Sequence, residues 1–180
     1  MRAVFFDRDG VINQDFGYVY RPRDFIFLEG LFELLAFCKD RGYLLILVTN
    51  QSGIGMGYYS QRDFEILSAY MQDQLQSALG FGMDGIYHCP HAPKENCPCR
   101  KPKPGMILQA IKEHGIHPGQ SILIGDRARD IQAAQNAGVK YKILLDTPGK
   151  DNREEIPEMS NFYKITHLKE MIEILKKEIK

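Results

Sequence analysis

Asp7 and Asp9 flank a single arginine at the end of a short apolar run, Ala3 to Phe6, and Gly10 follows them. Two carboxylates at i and i+2 on a turning backbone can aim at one small volume while meeting a ligand differently. One can then serve as nucleophile and the other as proton donor. An acidic turn after an edge strand would carry the same letters. Three further stretches weigh against that bland reading: Thr49-Asn-Gln-Ser-Gly-Ile-Gly-Met-Gly57, the Cys89 to Pro104 segment, and Gly125-Asp126-Arg-Ala-Arg-Asp130. Asp7, Asp9 and Asp126 brought together would repel one another without a cation, and their hard oxygen donors suit Mg2+. Thr49, Asn50, Lys101 and the backbone N–H groups of the Asp7 to Gly10 turn would add donors for a tetrahedral oxyanion. Phosphoryl transfer is the chemistry that uses all of them, although Lys101 in the basic run Arg100, Lys101, Lys103 could also be a solvated lysine.

A second constellation is Cys89-x-His91-x5-Cys97-x-Cys99. Three thiols and one imidazole close a tetrahedral zinc shell with no position left for water, so such a zinc would be structural. It would fix a proline-bearing loop so that Arg100 and Lys101 face the phosphate side. An exposed cysteine-rich loop or a Cys97/Cys99 disulfide is the alternative. Cys38 falls among apolar residues at helical spacing and reads as core.

The elements that must position these groups follow from periodicity. Short apolar runs at Ala3 to Phe6, Tyr43 to Val48, Asp84 to His88, Ser121 to Ile124 and Tyr141 to Leu145 read as strands covered on both faces. Helical spacing appears over Gly30 to Arg41, over Gln61 to Leu79 with Ser60 as N-cap, from Pro104 to His114, over Ile131 to Asn136 and from Leu168 to Ile179. Gln14 to Leu28 is aromatic and β-branched with Gly17 and Pro22 as breakers, an irregular loop or hairpin that could cover the acidic turn. Asp146 to Asn161 reads as surface loop. Alternating strands and helices imply right-handed βαβ units, hence a three-layer α/β/α, Rossmann-like parallel sheet. Ligands of such sheets bind beyond the carboxyl ends of the strands. Four successive strands here end in polar residues, so one sheet edge would collect them all. His88 should point away from the cysteine loop by strand alternation, and His114, His117 and His167 read as surface residues.

With 180 residues the chain suits a single domain, residues 1–180, able to bury roughly two-thirds of its surface. Lys+Arg and Asp+Glu both number 23, so no global charge recommends nucleic acid or an anionic membrane as partner. No apolar run approaches the ~20 residues of a membrane span and no leader pattern precedes the first strand, which points to the cytoplasm.

Asp7-Arg-Asp9-Gly-Val, Val48-Thr49-Asn50, Lys101-Pro and Gly125-Asp126-x-x-x-Asp130 resemble the four ordered motifs of the haloacid dehalogenase superfamily of phosphatases. More narrowly, Asp15-x-Gly17-Tyr18-Val19, the Thr49 to Gly57 run and Cys97-x-Cys-Arg-Lys-Pro-Lys-Pro-Gly-Met106 resemble its branch acting on heptose bisphosphates. The related histidinol-phosphate phosphatases are the alternative. The resemblance implies Asp7 as nucleophile and Asp9 as general acid/base, with Mg2+ held by Asp7, the Asp9 backbone carbonyl and Asp126, and Asp130 in support. It implies Thr49 and Lys101 on the transferring phosphoryl group. Substrate contacts would come from Asp15, Gly17, Tyr18, Asn50, Gln51, Ser52, Arg100 and Arg127. It also implies a small phosphorylated sugar as substrate and a role in making surface glycans; no long insertion after Gly10 or between residues 57 and 84 is available to form a large cap domain, and a chain without a cap is expected to be a monomer. Met56 stands where relatives often carry a cation, and Arg127 where a lysine can follow the aspartate. A phospho-accepting receiver domain shares the sheet, acids, threonine and lysine, but its acceptor follows the third strand, which here leads to Cys89. A zinc-stabilised nucleic-acid module would need a basic, aromatic-lined face that the composition does not supply.

Overall fold

The computed structural model describes residues 1–147, 156 and 159–178. Six strands, β1 (Arg2–Phe6), β2 (Tyr43–Asn50), β3 (Gly85–Cys89), β4 (Ile122–Gly125), β5 (Tyr141–Leu145) and β6 (Phe162–Ile165), form one sheet in the order β3-β2-β1-β4-β5-β6. Every neighbouring pair is parallel. Alternate side chains supply two cores, as a sheet buried on both faces requires. Val4, Phe6, Leu45 and Leu47 pack beneath α1 (Leu31–Asp40), α3 (Gln61–Leu79) and α6 (Leu168–Glu178). Ala3, Phe5, Ile46 and Val48 pack beneath α4 (Gly105–His114) and α5 (Ala128–Asn136). The chain leaves β1 toward β2 on one side and returns to β4 on the other, so strand order reverses at the carboxyl end of β1. That reversal opens a crevice where ligands of such sheets bind, and Asp7 stands at its mouth, its N–H donating to Ile124 O at 3.1 Å.

Several expected boundaries shift. α5 begins at Ala128 instead of Ile131 because Asp130, at the third helical position, accepts the Arg127 N–H at 3.0 Å and caps the helix three residues earlier. Pro104 is the residue before α4, not its first member. α3 runs as expected, with Ser60 Oγ accepting from Asp63 N at 3.1 Å and Asp63 Oδ2 accepting from Ser60 N at 2.7 Å. β6 was not expected: its four residues are too short a run, with a lysine inside it, to give a strand pattern, yet they pair with β5 as Leu145↔Ile165. The Gln14 to Leu28 segment is a loop with one short turn of 3-10 helix at Pro22–Asp24 and a single antiparallel bridge, Asn13↔Phe27. Most of the expected 146–161 loop, and Ile179, lie outside the described residues. Between α2 (Ser52–Gly55) and β3 the chain forms α3, which packs on the sheet and so serves as core, not as a cap. Among the described residues no helix is long and apolar enough to cross a membrane.

Candidate active site

The carboxyl ends of β1, β2 and β4 and the loop after β3 meet around a cavity of about 330 Å3. Its walls include Asp7 and Asp9 from β1, Thr49 to Ser52 from β2, Arg100 from the β3 loop, and Asp126 and Arg127 from β4; Asp15, Gly17 and Tyr18 reach it from the covering loop. Lys101 and Asp130 stand behind the wall, 2% and 0% exposed.

Lys101 Nζ lies 2.9 Å from Asp7 Oδ1 and 2.7 Å from Asp130 Oδ1, and donates to Val48 O at 2.8 Å. Its three N–H bonds therefore all have protein acceptors. Burial works against its charge, but the carboxylates of Asp130 and Asp7 outweigh that and raise its pKa. For Asp130, burial raises the pKa and the charge of Asp7 adds to it, while Lys101 opposes. Carboxylate oxygens of Asp7, Asp126 and Asp130 lie within 4.8 Å of one another. Three buried carboxylates against one buried ammonium leave excess negative charge, and the donors are all hard oxygens, so the set fits Mg2+. The fit depends on Gly125, because a Cβ there would stand 2.2 Å from Asp130 Cβ.

Asp9 is held by three side chains. Arg8 donates to both of its carboxylate oxygens, with Nη2 at 3.0 Å from each; Asn13 Nδ2 donates to Oδ1 at 3.0 Å and Gln51 Nε2 to Oδ2 at 3.0 Å. The Arg8 side chain is 2% exposed and also donates to Val19 O at 2.5 Å, tying the acidic turn to the covering loop. Asn50 and Gln51, expected to meet substrate, have their amide groups engaged within the protein. Asn50 accepts from Lys101 N at 3.0 Å and donates to Lys101 O at 3.1 Å, while Gln51 Nε2 also donates to Thr49 Oγ1 at 2.9 Å. Three arginines, Arg100, Arg127 and Arg129, also line the cavity. Arg127 lies 3.7 Å from Asp126 and 3.9 Å from Asp15, and Arg100 Nη1 and Arg129 Nε are buried without a hydrogen-bond partner. Met56 lines the cavity as an apolar side chain.

Beside this site, Cys89 Sγ is 3.4 Å from Cys97 Sγ and 3.5 Å from His91 Nδ1, and Cys99 Sγ is 3.4 Å from Cys97 Sγ and 3.3 Å from His91 Nδ1. All four cysteines of the chain are free thiols, so the disulfide alternative falls. Four ligands around zinc with Zn–S of roughly 2.3 Å would be separated by somewhat under 4 Å, close to this spacing. Burial opposes ionisation of Cys97, but hydrogen bonds from Cys89, Cys99 and backbone N–H groups bring its thiol down to about 7. His88 turns the other way and stacks on Phe64 with centroids 4.1 Å apart, as alternation predicts. His114 needs correcting: it is half-buried, with Nε2 3.0 Å from the Tyr87 hydroxyl, because the register of α4 on β3 brings the two together.

Arg8, Asn13, Tyr59 and Arg129 were missed by sequence reasoning. Tyr59 precedes the Ser60 cap, where an aromatic reads as a packing residue. The arginines have no local signature, because what marks them, the burial of Arg8 beside Asp9 and of the unpartnered Arg129 Nε, is set by the fold.

A family model described as "HAD-hyrolase-like" matches residues 98–171. A D-glycero-beta-D-manno-heptose-1,7-bisphosphate 7-phosphatase of Helicobacter pylori strain J99 is 50% identical over 175 residues, covering 97% of each chain. Its counterpart from strain 26695 is 57% identical over 144 residues, covering 80% of this chain and 83% of the relative. A crystal structure of the D,D-heptose 1.7-bisphosphate phosphatase of B. bronchiseptica complexed with magnesium and phosphate superposes with a TM-score of 0.88 at 31% identity, covering 99% of both chains.

Proposed function

Because the chain belongs to the haloacid dehalogenase superfamily, in its heptose-bisphosphate phosphatase branch, we propose that it removes the 7-phosphate of D-glycero-D-manno-heptose 1,7-bisphosphate through an aspartyl phosphate. The observation that carries this reading is the convergence of Asp7, Asp9, Thr49 and Asp126 on one cavity, with Lys101 against Asp7. The β anomer, for which both Helicobacter relatives are named, is the configuration to assay first.

In this reading a carboxylate oxygen of Asp7 attacks phosphorus and the bond to the sugar oxygen breaks, while Asp9 gives that oxygen its proton. Asp9, now ionised, takes a proton from the water that attacks the phosphorus of the aspartyl phosphate, freeing phosphate and Asp7. Lys101 holds Asp7 in place and sets a positive charge behind the transferring group. Thr49 offers its hydroxyl to a phosphoryl oxygen. Mg2+, when bound, supplies the positive charge that lets an anionic phosphate approach an anionic nucleophile; Asp7, the Asp9 backbone carbonyl and Asp126 would hold it, with Asp130 alongside. Arg100, Arg127 and Arg129 suit the second phosphate, and Asp15, Gly17, Tyr18 and Ser52 suit the sugar hydroxyls. Cys89, His91, Cys97 and Cys99 would hold a structural zinc that braces the Arg100-Lys101 segment. A third-strand acceptor, as in a receiver domain, has no counterpart, since β3 ends at Cys89.

The test is steady-state kinetics with heptose bisphosphate and histidinol phosphate side by side. A kcat/KM favouring the bisphosphate is expected; a tenfold preference for histidinol phosphate would reverse the assignment.

A further inference from the structure

We propose that Tyr59 is a positioning residue that sets the direction of a hydrogen-bond relay through Gln51, holding Asp9 for proton transfer and leaving the Thr49 hydroxyl free to donate to the phosphoryl group. The inference deepens the phosphatase reading and rests on it. The Tyr59 hydroxyl donates to Gln51 Oε1 at 2.5 Å, and Gln51 Nε2 donates to Asp9 Oδ2 at 3.0 Å and to Thr49 Oγ1 at 2.9 Å. An amide has one acceptor end and one donor end. If Gln51 were turned over, its oxygen would face Asp9 in the ionised state it holds after protonating the leaving group, acceptor against acceptor, in a site closed to water at Gln51, which is 2% exposed. With Tyr59 donating, only one orientation satisfies all three contacts. Thr49 Oγ1 is then an acceptor for Gln51, so its own hydrogen remains to be given elsewhere, and the cavity is the open direction.

The rest of the fold fixes the tyrosine in that role. Its ring stacks on Tyr20 with centroids 5.1 Å apart and planes 5° from parallel. The ring also lies against Gly53, where an added Cβ would be 2.2 Å from Tyr59 Cε1. Burial, with Asp9 and Tyr18 adding and Arg8 opposing, pushes the phenol up to about 12, so it remains a donor across the working pH range. Tyr59 thus acts on the reaction through Gln51 and Asp9, without itself needing to touch substrate.

A residue that positions the general acid matters most when the leaving group needs a proton. The experiment compares kcat/KM, which stops at formation of the aspartyl phosphate, for an alkyl phosphate and for p-nitrophenyl phosphate. Heptose bisphosphate is the first alkyl substrate, and any alkyl phosphate the wild type turns over serves equally. Tyr59→Phe is expected to lower the alkyl value about tenfold or more and the aryl value by clearly less, so their ratio falls several-fold. Gln51→Met should reduce the ratio at least as far, and Tyr59→Phe should add nothing to it in the double variant, because the tyrosine works only through the amide. Equal losses on both substrates, no loss, or additive effects in the double variant would overturn the proposal. A wild type that turns over other alkyl phosphates but not heptose bisphosphate would instead count against the substrate assignment, leaving the ratio test intact.

Discussion

Lys101 illustrates how a residue's type can be legible while its job is not. Its place after the cysteine loop marked it as a phosphate-side cation, yet its ammonium is enclosed by Asp7, Asp130 and Val48 O. Spacing cannot report burial, and burial decides whether a lysine meets solvent, substrate or a neighbouring carboxylate. The aspartates were easier, because a carboxylate at the end of a parallel strand has few places to point. Arg129 is the opposite case: it sits in the first turn of α5, where a cation opposes the helix dipole, and its buried Nε has no partner among the described residues. That cost is offset if an anion occupies the cavity it lines. Arg129→Ala should raise KM for the bisphosphate about tenfold, with kcat changed less than about threefold, a loss of roughly one charge-assisted hydrogen bond. Unchanged KM in steady-state assays would remove it from the second-phosphate group.

At the scale of elements, the site is a set of strand ends held in register by small contacts between neighbours. Asn50 at the end of β2 hydrogen-bonds both backbone groups of Lys101, and Gly125 at the end of β4 lets α5 approach closely enough to deliver Asp130. Gly125→Ala should therefore displace Asp130, costing about 2 kcal/mol from overpacking and lowering Tm by about 4–8 °C, with a larger proportional loss of activity. Scanning calorimetry with parallel assays checks this, and an unchanged Tm would contradict the close approach. Cys97→Ser should release bound zinc, lower Tm and reduce activity through the loosened Arg100-Lys101 segment. Elemental analysis that finds no zinc in the purified wild type would remove the metal from the account. The five strands of the central pattern were readable because both-face burial demands unbroken apolar runs. β6 was not, since Phe162 and Tyr163 are only partly buried and Lys164 is exposed at the sheet edge, so no such run was needed.

Across the molecule, equal numbers of acidic and basic residues leave no net field to draw a bisphosphate inward. Attraction must come from the arginines at the cavity, so kcat/KM should fall with ionic strength only modestly while KM carries most of the change. We expect a monomer: sedimentation should give one species near 20.6 kDa, and activity should be independent of protein concentration. The layered architecture was legible from alternation of strands and helices, and the crevice from the rule that ligands gather where strand order reverses. What the sequence could not convey was the polarity of the network inside, because hydrogen-bond direction depends on which side chains the fold encloses. The account rests on Asp7 as the group that receives the phosphoryl. The most direct measurement is to quench the enzyme during turnover, reduce the acyl phosphate with borohydride and map the modified residue by mass spectrometry. The account predicts homoserine in place of Asp7 and none in Asp7→Asn; modification at another residue, or turnover undiminished in Asp7→Asn, would contradict it.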